Sequence, residues 1–151
     1  MEALLAELQA SGLAQAMRSS VYLYPAANVL HVLGALTFFA AVAAMDVRVL
    51  SRAGLAETRA FIGRVRPVAV AGLLVQATTG IMLLAPEATH IGHNPAFRLK
   101  VLAILLGLAN VLVLETAIRK GGVTGLVRAS AVASLALWLS TAAAGRLIAY
   151  F

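Results

Sequence analysis

Apolar residues run almost unbroken through four stretches, residues 21–45, 68–86, 98–118 and 127–148, and the charged residues collect between and beside them. Each stretch is close to the roughly 20 residues that a helix needs to cross a bilayer core. Inside them, polar and small residues recur every three or four positions, which is the helical period. The pattern predicts an all-α membrane protein: an up-down four-helix transmembrane bundle over residues 21–151, preceded by an interfacial segment over residues 1–20. Leu4, Leu5, Leu8 and Ala16, set against Glu7 and Gln15, read as a short amphipathic helix along the membrane surface. A frayed tail is the alternative. The segment does not read as a signal peptide, because no basic residue precedes its apolar residues and Arg18 follows them.

The breaks between the stretches carry turn chemistry. Pro67 fits the first turn of the second span, where its missing N–H is harmless. Pro86 ends that span, Asn94 and Pro95 launch the third, and Gly121, Gly122 and Gly125 separate the third from the fourth. Short connections make neighbouring helices antiparallel. The connection 46–67 holds Arg48, Arg52, Arg59, Arg64 and Arg66. The connection 119–126 holds Arg119 and Lys120, with Arg128 just beyond. The opposite side has Arg18, Arg98, Lys100 and Arg146. Basic connections stay in the cytoplasm, so the expectation is a multi-pass protein of a bacterial inner membrane with both termini in the periplasm. Tyr22, Tyr24, Phe97, Tyr150 and Phe151 would form an aromatic belt at the outer interface.

Composition narrows the function classes. Hydrophobic residues make up 62% and charged residues 12% of the chain, and mean hydropathy is +0.93. A water-soluble domain of this size could not bury that much apolar surface. The net charge of +6 flanks the apolar spans instead of covering one face. It points to anionic membrane lipids as partners and not to nucleic acid. Cysteine is absent, which excludes disulfides and thiolate metal sites.

The chemistry must lie in polar groups held at membrane depth. Tyr24, Asn28, His31, Ala35 and Phe38 share a face of the first span, with His31 roughly 15 Å below its outer end. Gln76, Thr79 and Gly80 make a polar patch on the second span. Lys100, Ala103, Gly107 and Asn110 line the third, with Glu115 beyond. Ser130, Ser134, Leu137, Thr141 and Gly145 share a face of the fourth, with Arg146 beside it. Such faces turn inward, because lipid offers them no partner. Small residues at four-residue spacing suit close helix packing, and Gln76 and Asn110 suit interhelical hydrogen bonds. Asp46 beside Arg48, and Glu115 beside Arg119, read as interfacial ion pairs.

His31 is the sharpest candidate. It reads either as a packed neutral imidazole or as a ligand to haem b or another metal in electron transfer. Asn28 lies on its face, and Arg98, Lys100 and Arg146 lie above it where they could meet haem propionates. His90 and His93 form a second, weaker metal pair, and Met82 is another axial candidate. No Ser/His/Asp set, phosphate-cradling glycine loop or paired carboxylate motif occurs. Three functions fit: a haem- or metal-binding redox protein centred on His31; a non-enzymatic oligomeric scaffold or accessory subunit, self-associating through the small-residue face of the fourth span; and a small carrier or lipid-binding protein using the layer of His31, Gln76, Asn110 and Glu115.

Taken together, Tyr22-Leu23-Tyr24-Pro25, His31-Val32-Leu33-Gly34, Asp46 to Leu50, Asn94 to Lys100, Asn110, Ser134 to Trp138 and Gly145 to Tyr150 resemble an uncharacterised bacterial family of small four-helix inner-membrane proteins. More loosely, the layout is similar to copper-resistance D-type membrane proteins and b-type cytochrome four-helix cores. The resemblance covers residues 20–151. It implies a paired-histidine haem or metal site, whose second histidine would stand where this chain has Glu115.

Overall fold

In the computed structural model the described residues are 2–51, 54–121 and 123–150. Arg52, Gly122 and Phe151, which figure in the expectations above, lie outside them. The described chain is helical throughout: α1 (Glu2–Ala10), α2 (Gly12–Ser19), α3 (Leu23–Leu50), α4 (Leu55–Leu84), a 3-10 turn (Ala85–Glu87), α5 (Ala88–His93), α6 (Pro95–Gly121), α7 (Gly125–Leu147) and a final 3-10 turn (Ile148–Tyr150). Four of these, α3, α4, α6 and α7, are long and apolar enough to cross a membrane. Their outward faces carry Val29, Leu33, Leu36, Leu74, Leu105 and Leu112, all exposed. Water would penalise such a surface, whereas acyl chains accept it.

The helices run beyond the expected spans. Hydropathy marks where hydrocarbon begins, not where a helix ends, and the basic residues simply continue the helices beyond it. The expected 46–67 connection shrinks to residues 51–54, and Asp46, Arg59, Arg64 and Arg66 are helical. Pro67 is therefore inside α4 and not in its first turn. Without an N–H it leaves the Gly63 carbonyl lacking its usual helical donor. The expected loop 87–97 is largely α5, and Asn94 caps α6: its Oδ1 accepts from the Ala96 and Phe97 N–H groups at 2.9 and 3.4 Å, ahead of Pro95.

Residues 2–19 form two helices where the sequence suggested one, and they are not frayed. They pack against the turn and α5 that follow α4. Gln9 Oε1 accepts from the Thr89 N–H (2.9 Å) and hydroxyl (2.6 Å), and Arg18 donates to the Pro86 carbonyl at 3.1 Å.

Within the long helices, α3 packs closely on α4 and α6 on α7, while α3 meets α7 along a thinner seam. The α3–α4 contact is backbone to backbone. A methyl group added at Gly72 would lie 2.7 Å from the Phe38 nitrogen and 3.0 Å from the Gly34 oxygen. Small residues permit this approach, which apolar lipid would not otherwise drive. The seam is centred on Trp138, whose ring meets Phe38 edge-on at 4.5 Å, and Gly107 leaves room for the indole. A second apolar cluster, Val49, Ile62, Ile118, Val127 and Ala131, closes the end near residues 51–54. Among the described residues, α4 and α6 have no comparable approach.

Candidate functional site

The gap between α4 and α6 is a cavity of about 450 Å³, within the usual size of small-molecule sites. Its walls are Ala69, Val70 and Leu73 of α4 and Leu108, Val111 and Leu114 of α6. Its inner wall is the α3–α7 seam, with Phe38, Val42, Asp46, Ser134 and Trp138. Charged side chains bridge one end. Arg66 pairs with Glu115 at 3.1 Å, Glu115 also takes Arg119 at 2.6 Å, and Arg59 donates to the Ile118 carbonyl at 2.7 Å.

The inner wall is unusual for a protein interior. Asp46 and Ser134 are each 1% exposed and Trp138 is 4% exposed. Ser134 approaches Asp46, yet neither Oδ2 of Asp46, nor Oγ of Ser134, nor Nε1 of Trp138 has a hydrogen-bond partner among the described residues. Buried polar atoms are nearly always paired, and an unpaired one costs about 1–3 kcal/mol. Here three belong to residues that line one cavity, although each atom is itself sealed from it, with less than 1 Å² accessible. The expected Asp46–Arg48 ion pair is absent: Arg48 pairs with Glu57 across the turn at 2.9 Å.

The His31 layer lies apart from this cavity, which His31 does not line. Thr79 donates its one hydroxyl proton to the Val75 carbonyl at 2.6 Å. It must therefore accept from His31 Nδ1–H at 2.9 Å. That fixes the ring and leaves Nε2 as the nitrogen able to ligate. Only one of the three expected cations stands near His31. Lys100 is close enough for their charges to interact, whereas Arg98 donates to the Gly92 carbonyl at 3.1 Å and Arg146 is held on Tyr150 at 3.2 Å. Asn28 is exposed on α3, so the upper part of the expected inward stripe, Tyr24 included, faces outward. Met82 is half-buried on α4. His93 is bound to the Thr89 carbonyl at 2.7 Å and lies 3.4 Å from Glu2, and His90 is exposed. No group of three or more His, Asp or Glu able to hold a metal occurs among the described residues. Of the residues expected around a haem or metal, the structure brings Lys100 towards His31 and engages Arg98 and Arg146 elsewhere.

Other expectations sort cleanly. Asn110 bridges helices: its Nδ2 donates to the Ser130 carbonyl at 2.9 Å and its Oδ1 accepts from the Ser130 hydroxyl at 2.7 Å. Asn110→Ala should lower resistance to SDS-induced unfolding by about 0.6–1.7 kcal/mol, the range for such bonds in membranes. Gln76 is half-buried, and its side chain makes no interhelical hydrogen bond among the described residues. Glu115 is held between two arginines. The small-residue face of α7 is used inside the chain, where Ser130 meets Asn110 and Gly145 lies against Lys100.

Sequence reasoning missed Trp138 and misread Asp46. Phe38, Val42, Asp46 and Val49 fall at four- and three-residue spacing on one face, and that pattern already places Asp46 inward.

Comparison with known proteins finds no match: no family model, curated protein or solved structure is detectably similar to this chain.

Proposed function

We propose that this chain is an inner-membrane protein, an up-down bundle with both termini periplasmic, that binds a small amphiphile in the cleft between α4 and α6. Of the three functions left open by the sequence, this is the lipid-binding one. The observation that carries it is the cavity itself, apolar along its walls and bridged at one end by the charged side chains of Arg59, Arg66, Glu115 and Arg119. Apolar walls with a few convergent polar groups are the usual form of a ligand site. The basic bridge of Arg59, Arg66 and Arg119 would sit at the cytoplasmic interface, where anionic headgroups and water begin. Glu115, in this reading, ties Arg66 of α4 and Arg119 of α6 together across the end of the cleft.

Gly63 offers a direct test. It lines the cavity, and nothing lies within 4 Å of a side-chain carbon placed there. Gly63→Phe should therefore fold and partly fill the cleft. Native mass spectrometry of the wild-type protein, released from mild detergent, should show a bound species of lipid mass. Gly63→Phe should lose it while keeping its thermal unfolding profile. The same adduct in both proteins, or in neither, would count against the cleft.

A further inference from the structure

We propose that the occupant of the cleft is an anionic phospholipid, with its phosphate held by Arg59, Arg66 and Arg119. The inference rests on the cleft reading and adds the chemistry of the head. These arginines, two on α4 and one on α6, line the cavity together with Glu115. Three guanidiniums against one carboxylate leave an excess of positive charge at that end. Much of their hydrogen-bonding capacity is open. Arg59 donates through Nη2 to the Ile118 and Arg119 carbonyls at 2.7 and 3.3 Å, and Arg66 meets Glu115 through Nη2. Neither makes a hydrogen bond through Nε or Nη1 among the described residues. A guanidinium presents its N–H donors as a fork that fits phosphate oxygens in pairs, and all three side chains are exposed, so a head can reach them. A zwitterionic head fits worse. Its ammonium would be repelled by the guanidiniums, and Glu115 already has Oε2 on Arg66 and Oε1 on Arg119. The bilayer itself supplies anionic phospholipid at this interface. The tail has a place too. Val70, Leu108 and Val111 line the cavity and are also exposed, so the cleft opens sideways and one acyl chain can lie in it while the other stays among bilayer lipids.

The test uses the full-length protein in mild detergent, mixed with equimolar phosphatidylglycerol and phosphatidylethanolamine of matched acyl chains and read by native mass spectrometry. The phosphatidylglycerol adduct should exceed the other by about fivefold, since one basic residue near a membrane surface contributes about 1 kcal/mol. Arg66→Gln should remove most of that excess and keep its thermal unfolding profile, because an exposed ion pair adds little to stability. Arg64→Gln loses the same charge from an exposed side chain that does not line the cavity, and should leave the excess intact. Glu115→Gln should raise it, a gain that misfolding cannot imitate. Equal adducts of the two lipids would overturn the anionic head and leave the cleft standing. An excess lowered alike by Arg64→Gln and Arg66→Gln would come from overall charge and overturn the site. A fall in Glu115→Gln would mean a head held by its ammonium, and displacement of phosphatidylglycerol by equimolar oleate would mean a carboxylate; either overturns the proposal. An excess unchanged in Gly63→Phe, or no adduct of either lipid, would remove both readings.

Discussion

Gly72→Leu should yield no assembled protein. Even the first carbon of a side chain at this position would fall 2.7 Å from the Phe38 nitrogen and 3.0 Å from both the Phe38 Cα and the Gly34 oxygen. These are backbone atoms of α3, which cannot rotate away as a side-chain tip can. The helices must separate, and in a bilayer no hydrophobic force brings them back, because lipid tails solvate the parted faces equally well. The milder Gly72→Ala should destabilise by about 1–3 kcal/mol, as overpacked cores do. Gly80→Ala is the matched control. Its nearest obstacle is the His31 ring at 3.3 Å, a side chain that can yield. Size-exclusion profiles in detergent, followed by thermal unfolding, should rank the three as Gly72→Leu worst, Gly72→Ala intermediate and Gly80→Ala near wild type. A monodisperse, wild-type-like Gly72→Leu would show that the close α3–α4 approach is not required.

Asp46→Leu should move stability the other way. The native carboxylate is nearly inaccessible, and its Oδ2 has no partner. Removing one member of a good pair strands the other, but here only the Ser134 hydroxyl approaches the carboxylate. A leucine adds apolar contact with Val42 and the adjoining cavity and removes a polar group from a site where burial is unfavourable. The gain should be on the order of 1–3 kcal/mol, comparable to other replacements of buried charge by packed apolar groups. It should appear as a melting temperature in detergent several degrees above wild type. A melting temperature that falls would mean that Asp46 has structural partners after all.

The four long helices were legible in the sequence because a bilayer permits so few alternatives. Twenty apolar residues in a row have to hydrogen-bond their own backbone. The interhelical role of Asn110 was legible for the same reason. Asp46 was misread through its neighbour. Residues two apart on a helix point to nearly opposite sides, so Arg48 was never placed to pair with it, and the first turn of α4 brings Glu57 to Arg48 instead. The limits of α3 and α4 were misjudged because Arg59, Arg64, Arg66 and Pro67 look like a loop to a hydropathy reading. Once outside hydrocarbon, a basic helix is as acceptable as a loop, and Gly54 gives α4 a place to start. The cleft could not be read at all. It depends on α4 and α6 standing apart, a property of how two hairpins meet that no single helix encodes. The stripe above His31 failed near the membrane surface, where Asn28 can face headgroups and has no need to turn inward.

The two hairpins are each tightly sewn, but a single thin seam joins them, with Trp138 and Phe38 at its centre. Across the opposite side, among the described residues, run extended arginine side chains and Glu115, and these can lengthen or let go without disturbing a helix. Any widening will therefore turn about that aromatic spine, with Arg59 and Arg66 acting as a clasp. A molecule seated between the leaves would touch both and act as mortar, making one rigid body of two.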